Sequence, residues 1–130
     1  MTKRNKIIYW IATTWLALGL VSTGVVQVLK AKDGQGGADM MEHLGYPVYL
    51  LTLLGIWKIL AVVVLLIPKF PLVKEWAYAG IFFVMTGAIF SHLTIGDPIT
   101  AIIPSLLLLI LAIVSWYFRT SDRKIIFVNQ

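Results

Sequence analysis

The chain has no cysteine. That excludes dithiol redox chemistry, thiolate-held iron–sulfur clusters and disulfide staples. Charge is also scarce, with Asp, Glu, Lys and Arg making up 13% of the 130 residues. Histidine occurs only at His43 and His92. With so few acids and imidazoles there is no His pair four residues apart and no acid-rich two-metal pattern, so no metal site is expected. Nothing in the spacing of the two histidines demands haem. A Ser–His–Asp arrangement, a phosphate loop and a dinucleotide fingerprint are missing too, which gives no ground for a self-contained hydrolase or kinase.

What is abundant is apolar surface. Hydrophobic residues make up 59% of the chain, more than a soluble fold of this size can hide. They fall into four runs, about 7–29, 47–67, 76–95 and 99–118. Each is long enough to cross the ~30 Å hydrocarbon core as a helix. Lipid offers the backbone no hydrogen-bond partners, and no strand alternation supports a barrel. The expectation is an all-α, four-transmembrane-helix bundle, with residues 1–130 forming one membrane domain. The first run follows a basic head, as a signal peptide does, but it is long and no small-x-small site closes it. It is read as a span.

The net charge is +5. The bases flank apolar runs, so they read as topology determinants and lipid-headgroup contacts, not as a nucleic-acid surface. Lys3, Arg4, Lys6, Lys69, Lys74, Arg119, Arg123 and Lys124 share the side of the two termini, and the opposite loop holds only Lys30 and Lys32. The positive-inside rule then places both termini in the cytoplasm of what is expected to be a bacterial inner membrane. The tail, through Ile125, Ile126 and Phe127, is expected to anchor at the inner surface.

Punctuation between the runs suggests local structure. Asp33 to Gly37 should break helices and be mobile, and Asp39 can cap a short helix carrying Glu42 and His43. Pro47 suits the first turn of the second span, and Asp97 can cap the fourth ahead of Pro98. Pro104 is a candidate bend. In the first span Ala12, Gly19, Ser22, Thr23, Gly24 and Gln27 read as a packing face. In the third, Ala77, Gly80, Val84, Gly87, Ala88 and Ser91 form a small-residue stripe that predicts tight helix packing.

One residue breaks the pattern. Lys58 lies near the middle of the second run, about 16 Å from Pro47 at helical rise. A lysine there costs on the order of 2.5–3.5 kcal/mol on insertion scales, so it should not face lipid. Leu51, Gly55, Lys58, Val62 and Leu65 recur on one helical face. Gly55 would let a neighbouring backbone approach, while Trp57 lies on another face. Glu42, His43, His92 and Asp97 all fall toward the outer side and could line a vestibule with Lys58 at its floor. The two readings of Lys58 are a ligand- or proton-binding group and a structurally paired base. His92 is either a proton-exchanging or ligand-contacting group or a hydrogen-bonded rim residue.

The segments HLGYP (43–47), LGIWKILA (54–61), LIPKFPLVKEWAYAG (66–80), TGAIFSH (86–92) and GDP (96–98) resemble the DoxX-like family of small four-helix membrane proteins. The resemblance implies a quinone- or redox-associated role, since named members include a membrane subunit of an archaeal thiosulfate:quinone oxidoreductase. A distant animal relative is a receptor-assembly chaperone, which implies a non-enzymatic alternative. Lys58 matches a polar position that relatives fill with Lys or Glu. Glu75, Trp76 and Tyr78 match the start of the third span, and Ser91 and His92 match its end. Many relatives with this lysine carry an acid where this chain has Val84, so a Lys–Asp couple is not expected here.

The expected function is therefore a small membrane subunit that binds quinone or another small amphipathic molecule around Lys58 and His92, with Gly55, Trp57, Ser91, Glu42 and His43 nearby. If it is an enzyme, it is an oxidoreductase-associated subunit. The alternatives are a non-catalytic assembly factor acting on a membrane partner or a second copy, and then a small transporter or channel.

Overall fold

The computed structural model describes residues 2–29, 37–47 and 49–120. The expectations for Asp33–Gly36, for Lys30 and Lys32, and for the tail beyond Thr120 lie outside the described residues. Five helices follow in order: α1 (Lys3–Val28), α2 (Ala38–Leu44), α3 (Tyr49–Leu66), α4 (Pro71–Thr94) and α5 (Ile99–Tyr117). There is no strand among the described residues. All but α2 are long and apolar enough to cross a membrane, so the expected four-span all-α bundle is the fold, and the spans contact lipid.

The spans form a ring in which α1 touches α3 and α5, and α4 touches α5 and, most loosely, α3. The short Ile95–Pro98 link makes α4 and α5 close antiparallel neighbours. A core of Leu16, Leu20, Val62, Leu65, Tyr78, Ile81 and Met85 fills the half of the bundle nearer the termini. Beside it, Ser115 Oγ lies 2.6 Å from Thr13 Oγ1 and 2.7 Å from Tyr78 Oη, which stitches α1, α4 and α5 together through buried hydroxyls. At the same end Glu75 accepts from Trp116 Nε1 at 2.8 Å and pairs with Arg119 at 2.9 Å.

Glycine lets two helix backbones meet. A Cβ on Gly55 would stand 2.7 Å from the Gly24 carbonyl oxygen and 2.9 Å from the Val28 amide nitrogen, so the α1 and α3 backbones meet there. The face Leu51, Gly55, Val62 and Leu65 read from spacing is the buried face of α3.

Several local expectations are corrected. α4 begins at Pro71, not near residue 76, because proline at the first helical position starts a helix as readily as it ends one. Lys74, counted as a loop base, is 1% exposed, and its Nζ donates to Val64 O at 2.6 Å. It satisfies one of the last carbonyls of α3, which have no partner within the helix. Pro47 lies ahead of α3, which starts at Tyr49. Gly37, not Asp39, is the N-cap of α2. Pro98 holds that position for α5 with no side-chain cap, because Asp97 is engaged elsewhere. The α4 stripe does not pack tightly: a Cβ on Gly80 or Gly87 would meet nothing within 4 Å.

Candidate functional site

The space left open by that stripe is the candidate site. Between the outer halves of the spans lies a chamber of about 240 Å³. Thr23 and Gln27 of α1, Lys58 of α3, His92 of α4 and Ser105 of α5 supply its polar lining. Met40, Met41 and Leu44 of α2, together with Tyr46, lie over it. Pro104 lines it as well. Proline cannot donate to the Thr100 carbonyl, and its position beside a void removes the need to pack that turn tightly.

A second, apolar cavity of about 630 Å³ runs between α3 and α4. Leu60, Ala61, Val64, Ala77 and Gly80 line it, and Trp57, Trp76 and Phe83 stand at its rim, all more than half exposed on the outer circumference. The two cavities share Leu54, Lys58, Phe83, Val84 and Met85. Lys58 thus marks the junction between a polar chamber and an apolar crevice.

The half-buried Lys58 amine donates to Thr23 Oγ1 at 3.2 Å. Thr23 in turn donates to Gly19 O at 3.0 Å. Among the described residues no carboxylate lies within ion-pair distance of Lys58. Val84, where the resemblance implies an acid, borders both cavities and brings no charge.

At the outer end, Asp97 joins two histidines. Its Oδ2 is 2.7 Å from His92 Nδ1 and its Oδ1 is 2.8 Å from His43 Nε2. These hydrogen bonds, His92 first and His43 second, hold the Asp97 carboxyl below the usual carboxylate range. A carboxylate at Nδ1 fixes that nitrogen as the N–H, which leaves His92 Nε2 as the acceptor in the neutral ring. His43 is largely exposed and His92 is buried, so Asp97 ties α2 to the end of α4.

The residues expected at the site divide accordingly. Lys58 and His92 come together around the chamber. Ser91 does not line it; it is hydrogen-bonded to Tyr46, which does, and donates to Gly87 O at 2.8 Å. Trp57 belongs to the crevice, and Gly55 to the α1–α3 contact. His43 reaches Asp97, not the chamber, and exposed Glu42 does not line it. Sequence reasoning assigned Thr23 and Gln27 to a packing face and did not single out Ser105. The available signal was the four-residue spacing of Thr23 and Gln27, which puts two polar groups on one face of α1.

No curated protein and no solved structure matches the chain. The model of the DoxX-like family matches residues 11–115. That match takes in the chamber, the crevice and the Asp97 cluster and covers well over half of the sequence, so the chain belongs to the DoxX-like family.

Proposed function

We propose that this protein binds a small amphipathic molecule, a quinone first among candidates, within a redox-associated membrane assembly. The observation that carries the reading is the position of Lys58 where the polar chamber meets the apolar crevice. A ligand with a polar head and a hydrocarbon tail matches both halves. The tail lies between α3 and α4 and reaches the bilayer past Trp57 and Phe83. The head lies in the chamber, where one of the ammonium's remaining N–H groups meets a ligand oxygen. Bonds to a charged donor are among the stronger ones, about 1.5–3 kcal/mol net.

The donor set fits a quinone. Lys58 supplies the cationic donor, His92 an imidazole and the crevice an apolar slot. A bound quinone would supply two-electron, two-proton chemistry. The chain's own part is to orient the head, keep bulk water out beneath α2, and accept a proton at His92 Nε2 while Asp97 fixes the ring through Nδ1. The orientation proposed is both termini in the cytoplasm of a bacterial inner membrane. Discounting buried Lys74 leaves the basic bias on the terminus-bearing end.

Titration of a short-tailed quinone, decylubiquinone, into the purified protein tests the reading through quenching of tryptophan fluorescence, Trp57 and Trp76 being at the crevice rim. Lys58→Met, whose side chain keeps the apolar stem, is expected to weaken binding by about tenfold or more at unchanged thermal stability. Equal affinity in the two proteins would count against the head-group site.

A further inference from the structure

Among the described residues that line the chamber or the crevice, Lys58 is the only Asp, Glu, Lys or Arg. Its amine end lies on the chamber side, since Nζ donates to Thr23 Oγ1 at 3.2 Å and Thr23 lines the chamber but not the crevice. That partner is a neutral hydroxyl. The described carboxylates are all placed elsewhere. Asp97 lines neither cavity and gives its two oxygens to His92 and His43. Asp39 and Glu42 of α2 are exposed and line neither cavity, and Glu75 pairs with Arg119 near the termini. The joined cavities therefore present one cation that no described side chain balances.

Taking a charge out of water is costly, and an ion pair formed inside a protein must offset that cost for both partners. Here the fold has already withdrawn Lys58 from bulk water. An anion entering the chamber gives up only its own hydration and gains the attraction of a charge held in place. A neutral head on the same tail gains one hydrogen bond to the ammonium, whereas a bond between two charged groups is shorter and stronger. A carboxylate also has two oxygens to place, and Ser105 and the Gln27 amide bring O–H and N–H donors to the chamber lining. His92 does not oppose an anion, because its ring can take a proton while Asp97 balances the added charge. Beyond Lys58 the crevice is lined almost wholly by apolar side chains, and one slot between two helices suits one chain.

We propose that the same site takes single-chain carboxylates, with the anionic head against Lys58 Nζ in the chamber and the hydrocarbon chain between α3 and α4. The ammonium then discriminates by charge, holding an ionised head more tightly than a neutral head of equal tail length. This rests on the amphipathic-ligand reading above and adds to it a second ligand class. No covalent or redox step is part of the inference.

The test uses the full chain in phosphatidylcholine nanodiscs, whose lipid carries no net charge to compete. Radiolabelled dodecanoate and dodecanol, which share a tail and differ in head charge, are the probes. Lys58→Gln keeps a neutral hydrogen-bond donor and removes the charge. Lys58→Met is measured alongside so that the result does not depend on one variant's folding. The ratio of dodecanoate to dodecanol affinity is expected to be about tenfold higher in wild type than in either variant. The two probes' different partition into lipid cancels in that comparison. Dodecanoate is also expected to displace decylubiquinone from wild type, restoring tryptophan fluorescence. An equal ratio in all three proteins, or dodecanoate binding that leaves decylubiquinone in place, would overturn the inference while decylubiquinone binding keeps the amphipathic site standing. If none of the three probes binds wild type, the proposed site fails and the inference with it.

Discussion

Two glycine-bearing contacts of α3 behave in opposite ways. Toward α1, Gly55 meets Gly24 and Val28 so closely that no Cβ fits. Toward α4, Gly80 and Gly87 face open space, and the helices enclose the crevice and the chamber. Small residues therefore do not dictate close packing. They permit it where the facing helix also presents a bare backbone, as Gly24 does. Where the facing side presents Trp57, Leu60 and Lys58, the same residues leave room. The cavities proposed to bind a ligand lie at the loose seam, and the close backbone contact lies at the tight one.

The sharpest way to break this contrast is to add one methyl group at each seam. Gly55→Ala is expected to destabilise the protein by about 1–3 kcal/mol, because the obstructing atoms are backbone and cannot turn aside. Alanine's better helix propensity offsets only part of this. Denaturant titration in mild detergent measures the loss, and an unchanged midpoint would show that the helices separate freely.

Filling the loose seam should spare stability and harm binding. Gly80→Phe places a ring in the crevice and is expected to weaken decylubiquinone binding by about tenfold at an unchanged melting temperature. Unaltered affinity would remove the crevice from the account.

A smaller effect is expected at α2, which covers the chamber. Replacing Asp97 with Asn removes the carboxylate that accepts from His43 and His92. Amide hydrogen exchange in α2 should then quicken several-fold while the spans stay protected. Acid should do the same in wild type. The folded-state value for Asp97 lies below the unfolded value of about 3.9, so its contribution is complete above that pH. It disappears as pH falls through the lower folded value. Exchange in α2 that is flat from pH 6 to pH 3, after correction for the intrinsic rate, would contradict the tether.

The smallest change is expected for Gly80→Ala. With nothing within 4 Å of the added methyl, only helix propensity acts, and stability should rise by at most ~1 kcal/mol. Set beside Gly55→Ala, it isolates what the facing helix contributes.

The spans were readable from sequence because bilayer thickness sets their length and an uninterrupted apolar run has no other low-cost conformation. Lys58 and His92 were readable because isolated polar groups stand out against such runs. What escaped depended on partners distant in sequence. Lys74 looked like a loop base because charge is read locally, whereas its amine serves a carbonyl of the preceding helix. Asp97 carried a good local capping signal, yet two histidines, one from α2, hold its carboxylate. The α4 stripe predicted contact because spacing describes one face and says nothing of the face opposite. Gln27 looked unremarkable at a helix end, yet it lines a chamber with residues of the four other helices.

The most direct measurement is native mass spectrometry of the protein released gently from its membrane, wild type beside Lys58→Met at matched stability. The account predicts a small amphipathic molecule retained by wild type and lost from the variant. The same molecule held equally by both, or wild type leaving the membrane with nothing but bulk lipid, would contradict it.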